Sequence, residues 1–187
     1  MAIKIYIDQG HNPVNPNAGA EANGLREQNL VYTIGRELAE LLRAQGDFEV
    51  RLSRPTAETQ LGDSVASSLS ARVRDANAWG ADYFISLHTN ASTSPDAEGI
   101  EALVYADPST AASLGRDILR RTSALTDERN RGIKVRSGLY VLRKTNMPAV
   151  LVELGFISNP REAALMRDSP ELYARGVYEG ILDYTGL

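Results

Sequence analysis

The 187-residue chain contains no cysteine, which excludes a disulfide framework, a cysteine-ligated zinc ribbon and a thiol nucleophile together. The redox compartment stays open. No stretch reaches the roughly 18 apolar residues of a membrane span, and the opening MAIKIYIDQGH has neither the basic nor the long apolar region of a secretory signal. Export is therefore expected to depend on sequence outside this chain. Basic residues are in slight deficit, 20 Lys and Arg against 24 Asp and Glu, and they form no block. The electrostatic footprint of a nucleic-acid or anionic-membrane binder is missing. Only two histidines occur, His11 and His88.

What remains is one ordinary domain's worth of chain, with 43% apolar residues, in the usual globular range. No repeat, low-complexity tract or linker divides it, so residues 1–187 are read as a single domain. A chain of this length buries roughly 70% of its unfolded surface. It needs no structural metal, and any metal it binds is expected to be catalytic.

Ile3, Ile5 and Ile7 alternate with polar residues as a strand ending at Gly10-His11. A loop from Asn12 to Gly24 follows, of the length that often carries function. Leu30, Ile34, Leu38, Leu41 and Leu42 mark one face of a helix over Leu25–Gln45, closed by Gly46, with Glu27 in its first turn. Phe48–Leu52 reads as a strand, Val65 to about Gly80 as a helix, and Asp82–Leu87 as a strand that delivers His88. Gly99–Ala106 reads as a strand, Thr110–Leu125 as a helix, and Gly132–Leu142 as two short strands around Ser137-Gly138. Ala149–Val152 is an apolar run suited to a strand buried on both faces, closed by Glu153. Asn159, Pro160 and Glu162 form an N-cap, N1 and N3 set, and Ser169-Pro170 opens the last helix.

The alternation of strands and helices predicts an α/β fold: a single-layer, mostly parallel twisted sheet of about six strands, flanked on both faces by five to six helices. Ligands bind such sheets beyond the strands' carboxyl ends. His11, His88 and Glu153 are expected there, with Glu27 close by. Two histidines and a carboxylate plus a water make a catalytic zinc site, and a second carboxylate can act as base on that water. Each histidine alone reads more readily as an isolated polar group at a strand end, and Glu27 alone as a complement to the helix dipole; the two histidines together with the two acids balance that reading against the metal site. Glu153, following four apolar residues, needs a partner to stay charged, either a salt bridge or a nearby cation. No nucleophile elbow or phosphate-binding glycine loop occurs. A carboxylate pair built on Asp8 and Asp82 for glycoside hydrolysis is a weaker reading. Arg54, Arg72 and Asn77 are candidate polar site residues; Arg72 and Asn77 are expected to be structural supports of the loop before His88, and Arg54 is left undecided.

The strings DQGHNP, GLREQNL, SRPT, LSARVRDANAWGADYFISLHTNAS and MPAVLVELGFISNP, in this order, resemble the zinc-dependent N-acetylmuramoyl-L-alanine amidases of the amidase-3 type. The resemblance runs from Ile3 to about Tyr184. It implies that His11, Glu27 and His88 ligate one Zn2+ per chain and that Glu153 is the catalytic acid/base. The implied substrate is peptidoglycan or a muropeptide, cut between N-acetylmuramic acid and the L-alanine of the stem peptide. Gln9 stands where the family commonly has proline, and Asn12-Pro13 where glycine is usual, differences that touch the loop rather than the ligands. The implied setting is the cell wall or periplasm, as an autolysin or as a phage-released lysin, and a monomer is expected. The alternatives are a zinc peptidase acting within the stem peptide and a non-catalytic wall-binding homologue.

Overall fold

The computed structural model describes residues 2–187. Its elements run β1 (Ile3–Gln9), β2 (Glu21–Ala22), β3 (Leu25–Arg26), α1 (Glu27–Gln45), β4 (Phe48–Leu52), α2 (Val65–Trp79) and β5 (Tyr83–Asn90). They continue with β6 (Ile100–Val104), α3 (Thr110–Thr126), β7 (Asn130–Val135), α4 (Tyr140–Lys144), β8 (Ala149–Phe156), α5 (Pro160–Asp168) and α6 (Pro170–Thr185). Six strands form one sheet in the order β4-β1-β5-β8-β6-β7. β4, β1, β5 and β8 are mutually parallel, β6 runs antiparallel to β8, and β7 is parallel to β6. The mostly parallel α/β sheet expected from the alternation is present.

Strand periodicity sorts side chains onto the two faces. Ile5, Ile7, Ile85, Leu87, Val150 and Val152 pack with α1, α3 and α6, while Tyr6, Phe84 and Leu151 pack with Val73 and Ala76 of α2 and Val141 and Leu142 of α4. One face thus carries a thick cover of long helices, the other two lighter elements. His88 and Glu153 share the parity of Phe84 and Leu151, so they belong to the lightly covered face.

Three expected boundaries move. The first helix begins at Glu27 rather than Leu25, because Leu25-Arg26 pairs back on Glu21-Ala22 as a small antiparallel hairpin. Of the two short strands expected over Gly132–Leu142, only the first exists; Tyr140–Lys144 is helical, which turns Val141 and Leu142 together onto the core. A four-residue apolar run carries no period that separates strand from helix. Glu153 does not close its strand: β8 continues to Phe156 through Gly155, whose φ of +136° is glycine territory.

Candidate active site

β1 ends two residues before His11, whose left-handed backbone (φ 64°) turns the chain across the sheet edge. Arg72 of α2 holds that turn. Its guanidinium, 1% exposed, donates to Asp8 Oδ1 (2.6 Å) and to the carbonyls of Gln9 (2.7 Å) and His11 (2.5 Å). Asp8 accepts in addition from Ser86 Oγ at 2.7 Å, linking β1 to β5. Asn12, which is fully buried, donates to the carbonyls of Pro16 and Leu61 and accepts from the Leu61 amide, so the loop is tied at both ends.

Glu27 stands at the first position of α1, directly above the sheet edge. Each carboxylate oxygen meets one backbone amide and one imidazole: Oε1 lies 2.9 Å from Thr89 N and 3.1 Å from His88 Nδ1, and Oε2 lies 2.9 Å from Ala20 N and 3.1 Å from His11 Nε2. The two rings meet edge to face with centroids 4.8 Å apart, and one donor atom from each of the three residues falls within 4.8 Å of the others. Burial opposes the Glu27 charge, but the hydrogen bonds from His11 and His88 hold its carboxyl well below the usual range. For His88 burial likewise opposes the charge, and the Glu27 contact outweighs it, raising the imidazole pKa. The backbone leaves no slack here, since a Cβ at Gly10 would lie 2.5 Å from His88 Cε1.

Glu153 lies beside this group, paired in register with His88 on one side and with Glu101 on the other. Its Oε2 is sequestered without a hydrogen-bond partner. Burial pushes the carboxyl up to about 7, His88 working against that and the Glu27 and Glu101 carboxylates with it. The sheet therefore presents a low-pKa carboxylate among imidazoles next to a carboxyl poised near neutrality, a division of labour that suits metal ligation and proton transfer respectively.

The other candidates are sorted by their partners. Arg72 is structural as expected, but it braces the turn carrying His11 rather than a loop before His88. Asn77 bridges Lys144 O (3.0 Å) and Asn146 N (2.9 Å), supporting the entry to β8 instead. Arg54 is buried, donating to Gln28 O and Ala57 O at 2.9 Å each and stacking on Tyr32; burial and the neighbouring Arg72 bring its pKa down to about 10. Gln9, the family departure, accepts from the Arg54 amide and lies under Gly35. Asp8 is committed to Arg72 and Ser86, and Asp82 accepts from Lys4 N near the start of β5, at the other end of the sheet. They form no carboxylate pair. Sequence reasoning missed Glu101, held by Arg131 Nε at 2.9 Å and Asn90 Nδ2 at 3.3 Å; the available signal was an acid inside the buried run Ile100–Val104.

Two imidazoles and a carboxylate converging at the carboxyl edge of an α/β sheet, with a further carboxyl alongside, are a donor set that could hold a metal ion and the kind of site a metal-dependent hydrolase uses. The particular family follows from comparison with known proteins. The amidase-3 family, described as N-acetylmuramoyl-L-alanine amidase, matches residues 5–183, and the chain belongs to this family of peptidoglycan hydrolases. It is 36% identical over 183 residues to the N-acetylmuramoyl-L-alanine amidase CwlM of Bacillus licheniformis, covering 96% of this chain and 67% of that protein. It is 34% identical to the endolysin of Bacillus phage SPP1, covering 100% of this chain and 68% of the endolysin. Among solved structures, an N-acetylmuramoyl-L-alanine amidase from Clostridium difficile 630 superposes with a TM-score of 0.87 at 30% identity, covering 99% and 97% of the two chains. The CwlD amidase of Clostridioides difficile gives 0.90 at 26% identity, covering 98% of both.

Proposed function

We propose that this chain hydrolyses the amide between the lactyl group of N-acetylmuramic acid and the L-alanine of the stem peptide, with one zinc held by His11, Glu27 and His88 and with Glu153 as acid/base. The observation that carries the reading is the convergence of those three donors beside a carboxyl whose pKa is raised. The donor set fits zinc: neutral nitrogens and one carboxylate, with the carboxylate already oriented by backbone contacts that a second shell would otherwise have to supply. Bound there, zinc supplies Lewis acidity toward the scissile carbonyl and lowers the pKa of water toward ~7.

The residues of the chain do the rest. Thr89 N and Ala20 N fix the Glu27 carboxylate so that both its oxygens face imidazoles. The Glu153 carboxylate, which no protein donor engages, takes the proton of the attacking water. The same carboxyl returns it to the alanine nitrogen as the C–N bond breaks, so the amine leaves neutral. Arg131 engages Glu101 in an ion pair, which leaves Glu153 as the proton carrier in that row.

Acting on peptidoglycan, the chain is expected to work in the cell wall or periplasm; no helix among the described residues is long and apolar enough to cross a membrane. We expect a monomer. Glu153→Gln is expected to keep its zinc and lose at least ~10²-fold in rate, whereas Glu27→Gln is expected to lose zinc, since an amide is a poorer ligand. Elemental analysis together with mass spectrometry of digested peptidoglycan reads both variants. Near-parental turnover by Glu153→Gln, or loss of metal from that variant, would reverse the assignment.

A further inference from the structure

The chain is acidic as a whole, yet residues 129–152 contain six basic residues and no Asp or Glu. Spaced by apolar residues, they make no block in the sequence, but the fold gathers four of them. β7 runs antiparallel to β8, so its carboxyl end lies at the amino edge of β8, away from Glu153. Lys134 pairs in register with Leu103, and Arg136 follows, its amide bound to Val104 O at 2.8 Å. Arg143 and Lys144 end α4, which Asn77 ties to the same edge through Lys144 O and Asn146 N. Arg136, Arg143 and Lys144 are exposed and Lys134 is half-buried; none of the four forms an ion pair among the described residues, and the Arg136 guanidinium reaches only Val135 O. The acids nearby are spent, Asp107 on Arg116 at 2.6 and 2.8 Å and Glu101 on Arg131. Between Arg143 and the end of β6 lies a groove of about 350 Å3, whose lining includes Tyr105 and Met147 and no acid. Tyr105 is 50% exposed.

We infer that this basic end of the sheet, formed by Lys134, Arg136, Arg143 and Lys144 beside the Tyr105 groove, docks a linear wall polymer of repeating phosphodiesters carried by the peptidoglycan. The inference rests on the amidase reading above for the source of that polymer. By strand alternation Lys134 and Arg136 share a face of the sheet edge about 6.7 Å apart, and Arg143 and Lys144 come from a different element. The charge is therefore distributed rather than focused in one pocket, which suits a chain of closely repeating anions more than a single carboxylate. Stem-peptide carboxylates recur only once per peptide, at wider spacing. Arginine and lysine are both good phosphate partners, and the Tyr105 ring offers a surface for the sugar or polyol links between phosphates. Ala149, which lines the groove, and Glu153 are four residues apart on β8, roughly 13 Å. Docking there would hold the enzyme on the wall without occupying the catalytic edge.

The first probe is fluorescently labelled polyphosphate, a soluble chain of linked phosphates, read by anisotropy. The parent should bind it, and raising salt roughly tenfold should weaken binding on the order of 10²-fold, as neutralising about four charges on a linear polyanion requires. Arg143→Glu with Lys144→Glu should weaken binding at least ~10-fold, while the matched reversal of Arg36 and Arg175, exposed on α1 and α6, should leave it unchanged. Both double variants alter exposed side chains, and both should turn over soluble muramyl peptides at the parental rate. On walls, the zinc-loaded parent should bind and lyse intact material better than material stripped of phosphodiesters by hydrofluoric acid, and the Arg143→Glu, Lys144→Glu variant should treat the two alike. Stripped walls keep their stem carboxylates, so equal binding of the parent to both overturns the inference. So does a parent that fails to bind polyphosphate, or binding that survives the reversal. Tighter binding to phosphatidylglycerol vesicles than to intact walls would assign the surface to a membrane and overturn it as well. If the zinc-loaded parent cleaves no soluble muramyl peptide, the amidase reading falls, and the polyphosphate measurements still decide the surface by themselves.

Discussion

Glu128 and Glu162 are buried acids that approach from opposite sides of Gly155, whose absent Cβ would lie 3.1 Å from Glu128 Oε2 and 3.2 Å from Glu162 Oε2. Glu162 is fully engaged, accepting from Gly99 N and Phe156 N at 2.6 Å each. Glu128 accepts from the Tyr173 hydroxyl through Oε1, and its Oε2 has no partner. Burial pushes the Glu128 carboxyl up to about 8, the Tyr173 bond pulling down, Glu162 and Glu98 adding to the rise and Arg161 opposing it. An acid protonated in the folded state between its ordinary 4.5 and about 8 binds more protons folded than unfolded in that window. The contribution of Glu128 to stability is therefore full below about pH 4.5 and is lost as pH rises toward about 8, by an amount on the order of 5 kcal/mol at most. Glu128→Gln, which keeps an acceptor for Tyr173, should flatten that slope; urea denaturation at pH 6 and pH 9 measures it. Equal slopes for parent and variant would place the pH dependence elsewhere.

At the scale of elements, α3 and α6 meet through glycine. A Cβ at Gly176 would lie 2.5 Å from Thr122 Cα, and one at Gly180 would overlap the backbone at Ile118. The obstacle is main chain and cannot rotate away. Gly180→Ala should push the helices apart and destabilise by about 1–3 kcal/mol, lowering the melting temperature by several degrees in a domain of this length; an unchanged melting curve would mean that the helices slide instead.

The elements also show what was legible in the sequence. Period-two alternation marks β1 and β4, and caps mark α5 and α6 at the expected residues, because those signals are local. Even there the tertiary fold redirects one group: at N3 Glu162 reads as serving its own helix N-terminus, yet its carboxylate serves Gly99 and Phe156 on two other segments. Alternation alone leaves the direction of β6 open, although residues 91–99 form a connection without a helix, too short for a parallel crossover from β5. His11, His88, Glu27 and Glu153 could be placed near one edge from strand ends alone. Their distances could not, since the turn at His11 depends on Arg72, some sixty residues away and carrying no mark of that role in its own neighbourhood.

Over the whole molecule, the heavy cover of α1, α3 and α6 stabilises one side of the sheet and the lighter α2 and α4 leave the other accessible to a polymer substrate. A core of this size should stand without the proposed metal, so EDTA treatment of zinc-loaded protein should leave a single cooperative thermal transition. By mass action on a tightly held ion, its midpoint should fall by about 10 °C. Loss of the cooperative transition would show instead that the donor cluster is a keystone of the fold. The unpaired edge at β4 is likewise guarded rather than open: Arg43 reaches over from α1 to donate to Val50 O at 3.1 Å, which blunts strand-to-strand association.

The pairing of β1 with β5, which aligns Asp8 with Ser86 and Gln9 with Leu87, also has a meaning in time. His11 and His88 are brought together by parallel strands whose partners lie nearly eighty residues apart in the chain, the kind of contact that forms late because a long loop must close first. The zinc ligands of the proposed site thus do not exist as a set in any partly folded chain lacking that pairing. Metal capture becomes a clock for assembly: in refolding from urea, uptake of zinc followed by a chromogenic chelator should coincide with the slowest tertiary phase and trail the appearance of helix, and uptake that precedes helix formation would mean the ion templates the sheet rather than reporting it.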